Sequence, residues 1–312
     1  MTKTAFLFPG QGSQVPGMAA TLASQSDAAK QVLAQVDDAL SQNLSTLMAD
    51  GPADELTLTA NAQPALFASS LAVVAAIAEH TGKDLAQFGD MVAGHSLGEY
   101  SALSAVGVFD IATGARLLRT RGEAMQAAVP VGKGAMAALI GADMALAEEI
   151  VDRAQGAGAV QVANDNAPGQ VVISGSLEGV KAAMAIASEE GLRRVVQLPV
   201  SAPFHSSLMA PAGDVMAEAL AQSDFLAPSL PVMCNVTAGL EQNADNLRSN
   251  LVSQVTGRVR WRESLEAMAA NGVTRFVELG TGKVLSGLVK RTVKDVEILS
   301  VETADDIAAH FS

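Results

Sequence analysis

Cysteine is almost absent from this 312-residue chain. Cys234 is the only one, which excludes an intramolecular disulfide and fits a reducing, cytoplasmic setting. It lies in the apolar run Pro231-Val232-Met233-Cys234 with no base nearby in sequence, so a buried structural thiol is expected rather than a nucleophile. Aromatic residues are scarce at 4%, with one Trp and one Tyr, so the core must be built from Ala, Val, Leu and Met. Positive charge is in deficit: 20 Lys and Arg face 33 Asp and Glu, for a net charge of −13. Non-specific nucleic-acid binding, which needs a basic face to displace phosphate counterions, is not expected. No His/Cys/Asp cluster has ligand spacing, so no metal or redox cofactor is expected. The apolar run inside Met1 to Phe8 is too short for a signal-peptide core. The longest uncharged stretch, Thr57 to Ala78, is Ala-rich and holds Asn61, Gln63 and Pro64. It reads as a buried core helix from about Pro64, with the proline in the first turn, and not as a membrane span.

What is present is a globular composition, 49% hydrophobic and 17% charged, long enough for one large domain or two unequal ones. Thr4–Phe8 reads as a buried strand, Asp27–Leu40 and Pro64–Glu79 as helices, Met91–Ala93 as a strand and Ile111–Ala128 as a helix. This alternation predicts an α/β fold with a parallel sheet covered on both faces. After the break Pro130-Val131-Gly132-Lys133-Gly134 the order is strand, helix, strand, a polar turn over Asn164–Gly169, strand, helix, strand, closed by Pro199. That is a ferredoxin-like βαββαβ unit over 131–199, inserted into a large domain of 1–130 and 200–312, with a cleft expected between them. Ser207–Gln222, Asn246–Val255 and Trp261–Ala270 then read as helices. Val232–Val236, Val273–Leu279 and Val296–Val301 read as strands.

The chemistry concentrates in Gly94-His95-Ser96-Leu97-Gly98-Glu99, a Gly-x-Ser-x-Gly turn between a short strand and a helical segment. Such a turn presents a serine hydroxyl for acyl transfer; a plain helix cap is the other reading. A nucleophilic serine needs a base, and there are only four histidines. His80 sits in a helix C-terminal turn, His310 is near the chain end, and His95 is adjacent to Ser96 and points elsewhere. His205 remains, in the irregular segment Ser201-Ala202-Pro203-Phe204-His205-Ser206; spacing alone leaves it equally a satisfied polar residue. No Asp or Glu stands out as the third member of a triad. Phe8-Pro9-Gly10-Gln11-Gly12-Ser13-Gln14 is a Gly-rich loop after the first strand, suited to an oxyanion hole and lacking the Gly-Lys-Ser/Thr ending of a P-loop.

These two stretches occur together with Arg119-Thr120-Arg121-Gly122, Pro203-Phe204-His205-Ser206, Asn164, Pro168-Gly169-Gln170 and Ser253-Gln254-Val255. The set closely resembles the malonyl-CoA:acyl-carrier-protein transacylases of fatty acid synthesis, across essentially the whole chain. The resemblance implies an α/β-hydrolase-like large domain with a ferredoxin-like small one. It implies Ser96 as nucleophile, His205 as base and then acid, and a Gln254 backbone carbonyl orienting the imidazole. Gln11 and Leu97 would supply oxyanion N–H groups. Arg121 would pair with the malonyl carboxylate, with Gln63 nearby; by itself Arg121 reads as a solvated helix-face charge. Asn164 and Phe204 would line the substrate site, Phe204 favouring malonyl over branched units. The implied partners are malonyl-CoA and a phosphopantetheinylated acyl carrier protein, with no cofactor, and a monomer is expected. Such carriers are acidic, so docking needs a local basic surface: Arg258, Arg260 and Arg262, or Lys283 with Lys290, Arg291 and Lys294. The same residues leave open a polyketide-synthase acyltransferase, a serine thioesterase, and a carrier-docking module with a vestigial site.

Overall fold

The computed structural model describes residues 2–200 and 202–312. The strands are β1 (Lys3–Phe8), β2 (Met91–Gly94), β3 (Gly134–Ile140), β4 (Val160–Ala167), β5 (Gln170–Ser176), β6 (Arg194–Gln197), β7 (Val232–Met233), β8 (Leu240–Glu241), β9 (Val273–Leu279) and β10 (Glu297–Val301). They form a six-stranded sheet in the order β10-β9-β1-β2-β7-β8 and a four-stranded sheet in the order β4-β5-β3-β6. In the first, β10, β9, β1, β2 and β7 run parallel and only β7–β8 is antiparallel. The second is antiparallel throughout, with helices Met144–Ala154 and Leu177–Glu189 packed on it, which is the expected βαββαβ unit.

The parallel sheet is buried on both sides, and β1 shows how. Ala5, Phe6, Leu7 and Phe8 are all buried; Phe6 and Phe8 join one core and Ala5 and Leu7 another. Side chains alternate across a strand, so a continuous apolar run is what two covered faces require. From β1 the chain adds β2 on one side and β9 on the other. Strand order reverses there, and the crevice outside the carboxyl ends of such strands is where open α/β sheets bind ligands.

Helices Asp27–Leu40 and Trp261–Ala270 and strand β9 occupy the predicted spans. Ser26 caps the first of these, its hydroxyl accepting from the Ala29 N–H at 3.0 Å. Four expectations are corrected. The Pro64 helix runs Thr59–Thr81, so the proline lies inside it rather than in its first turn. Its early polar residues have partners in the fold: Thr59 with Gln11, Asn61 with Arg119, and Gln63 with Arg121. Those partners, far off in sequence, satisfy what read locally as a loop. The helix is long and apolar enough to span a membrane, yet 78% of its apolar window is buried within the protein. Second, the polar turn Asn164–Gly169 is mostly strand: β4 continues to Ala167, with register shifts at Val162/Asn164 and Asp165/Ala167. Asp165 pairs with Arg262 and Asn166 with His95, contacts only the tertiary fold supplies. Third, Val232–Val236 is a strand only at Val232–Met233, because Asn235 turns into the site. Fourth, the Ser207–Gln222 helix opens with a 3₁₀ turn, Ser207–Met209, before Ala210–Ala221.

Candidate active site

Ser96 stands at the carboxyl end of β2, before helix Gly98–Ala105, with φ 52°. A non-glycine residue held at positive φ is strained and must be fixed by its surroundings. Asn235 does this: its Oδ1 accepts from the Ser96 N–H at 2.7 Å and its Nδ2 donates to the Gly94 carbonyl at 2.7 Å. The two flanking glycines are sterically required. A Cβ on Gly94 would lie 1.8 Å from the Gly98 carbonyl oxygen, and one on Gly98 would lie 2.2 Å from that of Phe8. The serine turn is thereby clamped against the end of β1.

The Ser96 Oγ lies 2.8 Å from His205 Nε2. His205 Nδ1 lies 2.9 Å from the Gln254 carbonyl oxygen. A carbonyl can only accept, so Nδ1 carries the proton and Nε2 offers its lone pair to the serine O–H. Burial, reinforced by the nearby Arg121 charge, pulls the His205 pKa down to about 3, so the ring is neutral at pH 7. His205 also has positive φ, 55°, and follows Phe204 on the segment after β6; Ser201, which opens that segment in the sequence reading, lies outside the described residues.

Arg121 is 2% exposed, on helix Ile111–Ala127. Its Nη2 donates to Ser96 Oγ at 3.1 Å and Gln254 Oε1 at 2.9 Å, and its Nη1 donates to Gln63 Oε1 at 2.8 Å. Burial lowers its pKa from the usual arginine value, with Tyr100 and Glu99 opposing the shift. The neighbouring arginines turn elsewhere: Arg119 bonds Asn61 and Gln42, and Arg116 reaches Thr113. Residues two apart on a helix point about 200° apart, so one face takes Arg121 and the other Arg119.

A cavity of about 420 Å³ opens between the two sheets. Gln11, Gln63, Ser96, Leu97, Arg121, Asn164, Phe204 and His205 all line it. Gln254 is fully buried behind it, reached through Arg121 and His205. Among the described residues neither the Gln11 nor the Leu97 backbone N–H has an acceptor, and the Asn164 side-chain amide has no protein partner. His95 turns away from Ser96: its Nε2 meets Asn166 Oδ1 at 2.8 Å and its ring packs edge-on against Trp261.

Sequence reasoning missed Asn235, Asn166 and Glu99. Glu99 was in plain view in the serine motif, but helix spacing alone does not tell that its carboxyl turns inward. It is 1% exposed, accepting from Gln254 Nε2 at 2.7 Å and from the Asn235 N–H at 3.1 Å. Of the two basic patches, the first is neutralised: Arg258 pairs with Glu148, Arg260 with Glu263, and Arg262 with Asp165 and Glu266. Lys283, Lys290, Arg291 and Lys294 are exposed and, among the described residues, have no acidic partner. Cys234 is fully buried, and burial pushes its thiol pKa far up, as a structural role requires.

A family model described as acyl transferase domain matches residues 5–308. A malonyl CoA-acyl carrier protein transacylase of Bacillus subtilis is 44% identical over 308 residues, covering 98% of this chain and 96% of that protein. The crystal structure of an acyl-carrier-protein-S-malonyltransferase from Bartonella henselae superposes with a TM-score of 0.97 at 52% identity, covering 99% of this chain and 98% of that one. A malonyl-transacylase solved in complex with a type II polyketide synthase acyl-carrier protein superposes at 0.95 with 40% identity, covering 99% of each chain.

Proposed function

This chain belongs to the acyl transferase domain family, and from that premise we propose that it moves a malonyl group from malonyl-CoA to the phosphopantetheine thiol of an acyl carrier protein through a malonyl-serine intermediate. One observation carries the substrate: the Ser96 Oγ stands 2.8 Å from a neutral imidazole and 3.1 Å from a buried guanidinium. A nucleophile and an anion anchor in one cavity fit an acyl group with a carboxylate close to its reacting carbonyl. A guanidinium grips such a planar anion with two hydrogen bonds. An esterase or thioesterase has no need of that cation.

Ser96 attacks the thioester carbonyl as its proton passes to His205 Nε2. The N–H groups of Gln11 and Leu97 receive the oxyanion; one such donor is worth about 2.7–4 kcal/mol. The C–S bond breaks and His205 returns the proton to the departing CoA sulfur. In the second half the carrier thiol gives its proton to His205, attacks the ester carbonyl, and Ser96 leaves with that proton. The Gln254 carbonyl holds the imidazolium in both halves, standing where a triad carboxylate would. The carboxylate of the substrate takes the Arg121 Nη2 hydrogen now on Ser96 Oγ and the second Nη1 hydrogen. Met125, Met136, Val172, Leu198 and Phe204 make the remaining wall apolar, which disfavours hydrolysis of the ester.

Fatty acid synthesis is the pathway we assign, in the reducing cytoplasm; the likeness to a polyketide-synthase transacylase concerns the same chemistry with another carrier. Intact-protein mass spectrometry with malonyl-CoA tests the reading. A single malonyl adduct is expected, absent in Ser96→Ala and discharged by holo acyl carrier protein; continuous CoA release without an adduct would make it a thioesterase. The carrier surface is tested at Lys290 and Arg291: charge reversal there is expected to raise KM for the carrier several-fold and leave KM for malonyl-CoA unchanged.

A further inference from the structure

Arg121 is buried, yet among the described residues no carboxylate pairs with it directly. A buried charge without a counter-charge is costly. The nearest compensation lies one amide away. Gln254 Oε1 accepts from Arg121 Nη2 at 2.9 Å, and Gln254 Nε2 donates to Glu99 Oε2 at 2.7 Å and to the Ser96 carbonyl at 3.0 Å. The amide orientation is forced: turned over, its NH₂ would face the guanidinium and its oxygen would face two acceptors. Glu99 is thus linked to the anion anchor through one polarisable group, and its Oε1 is buried with no partner. The unpartnered oxygen is where a proton would sit.

We propose that Glu99 is the standing counter-charge of Arg121, and that it surrenders this role by taking up a proton when the malonyl carboxylate binds. This rests on the reading of Arg121 as the malonyl anchor. The charge balances: guanidinium, Glu99 carboxylate, malonyl carboxylate and one proton from solvent become guanidinium, malonyl carboxylate and a neutral Glu99. Burial raises the Glu99 carboxyl to about 7, with Gln254, Asn235, Cys234 and Arg121 pulling it back, in that order. Substrate takes up the Arg121 charge and so removes one of these restraints. The other titratable groups around Glu99 stay silent at neutral pH. Tyr100 on its own helix is pushed up to about 12, Cys234 beside β7 is pushed far up, and His205, joined through the Gln254 carbonyl, is held near 3. Helix Ala244–Thr256 brings Gln254, and Ile111–Ala127 brings Arg121. Glu99 is therefore a positioning residue: it orients the Gln254 amide and tunes the anchor without touching substrate.

The test is calorimetric titration of the non-acylating Ser96→Ala protein with malonyl-CoA at pH 7, in buffers of different ionisation enthalpy. With Glu99 at about 7, proton uptake per site is expected, with about half a proton as its upper limit. Acetyl-CoA, which lacks the carboxylate, is expected to take up none. Adding Glu99→Gln keeps an acceptor for Gln254 and Asn235 but removes the titration, so uptake should vanish. In the otherwise native enzyme KM for malonyl-CoA should rise several-fold from pH 6 to pH 8, and in Glu99→Gln it should be flat. A merely structural Glu99 would move neither the proton count nor the KM profile. Binding without proton uptake, or uptake that persists in Glu99→Gln, overturns this inference and leaves the transacylase reading intact. Acetyl-CoA and malonyl-CoA binding equally, whether or not Arg121 is present, overturns that reading, and this inference with it.

Discussion

The wall of the cleft built on the parallel sheet is a closed circuit of polar contacts, whereas the wall built on the antiparallel sheet is mostly apolar. On the first, Ser96, His205, Gln254, Arg121, Gln63, Glu99 and Asn235 are joined by hydrogen bonds of 2.7–3.1 Å. On the second, Met136, Val172 and Leu198 line the cavity alongside Asn164 and Asn166. The sheets themselves explain the difference. Parallel strands end together, so the turns after β1, β2 and β7 bring Gln11, Ser96 and Asn235 to one edge. The antiparallel sheet turns a face, not a row of strand ends, to the cleft, and a face supplies shape more readily than converging dipoles. On the function proposed above, chemistry and coarse selection belong to one wall and fit to the other.

Substitutions should divide along that line. Arg121→Ala is expected to show the largest effect here: kcat/KM for malonyl-CoA falls about 10²–10³-fold, the worth of two charge-assisted hydrogen bonds. The loss with acetyl-CoA should be much smaller, so the ratio between the two thioesters measures it. Asn235→Ala removes the clamp on the strained turn and should lower the acylation rate about 100-fold, because a small misplacement of the nucleophile is costly. It also unpairs the Ser96 N–H and the Gly94 carbonyl, a loss of about 1–3 kcal/mol by denaturant titration. On the opposite wall Asn164→Ala should raise KM for malonyl-CoA less than tenfold with kcat nearly unchanged. A comparable fall in kcat would erase the distinction between the walls. The smallest effect expected is that of acid on the saturated acylation rate. Burial, the larger cause of the His205 lowering to about 3, persists when substrate occupies Arg121, so the base stays neutral as pH falls and the quenched-flow rate should be flat from pH 6 to 4.5. A limb centred near 6.5 would mean that His205 is not desolvated as the geometry implies.

Much of this was legible in the residue order. Short apolar runs and period-3.6 patterning found the strands other than the two-residue β8, and most of the long helices, because burial between covered sheet faces or on a helix stripe dictates local spacing. The Gly-x-Ser-x-Gly turn was legible because only glycine permits the approaches at Gly94 and Gly98. His205 emerged because there were so few histidines to choose from. Where the reading went astray, at Thr59–Gln63 and Asn164–Asn166, polar residues resembled loop and were in fact satisfied by distant partners. Local propensity cannot know of a partner that folding has yet to deliver.

The chain's own order therefore determined the α/β plan, the inserted antiparallel unit and the nucleophile turn, each of which follows from spacing within a dozen or so residues. The resemblance already pointed to Arg121 and to the Gln254 carbonyl, but the tertiary structure alone decided that Arg121 turns inward while Arg116 and Arg119 turn away, how close that carbonyl stands to His205, and that Glu99 shares the Gln254 amide with Arg121. Those are matters of distance between groups 25 to 155 positions apart. Only the packing that buries them sets such distances, and burial also gives each charge its energy.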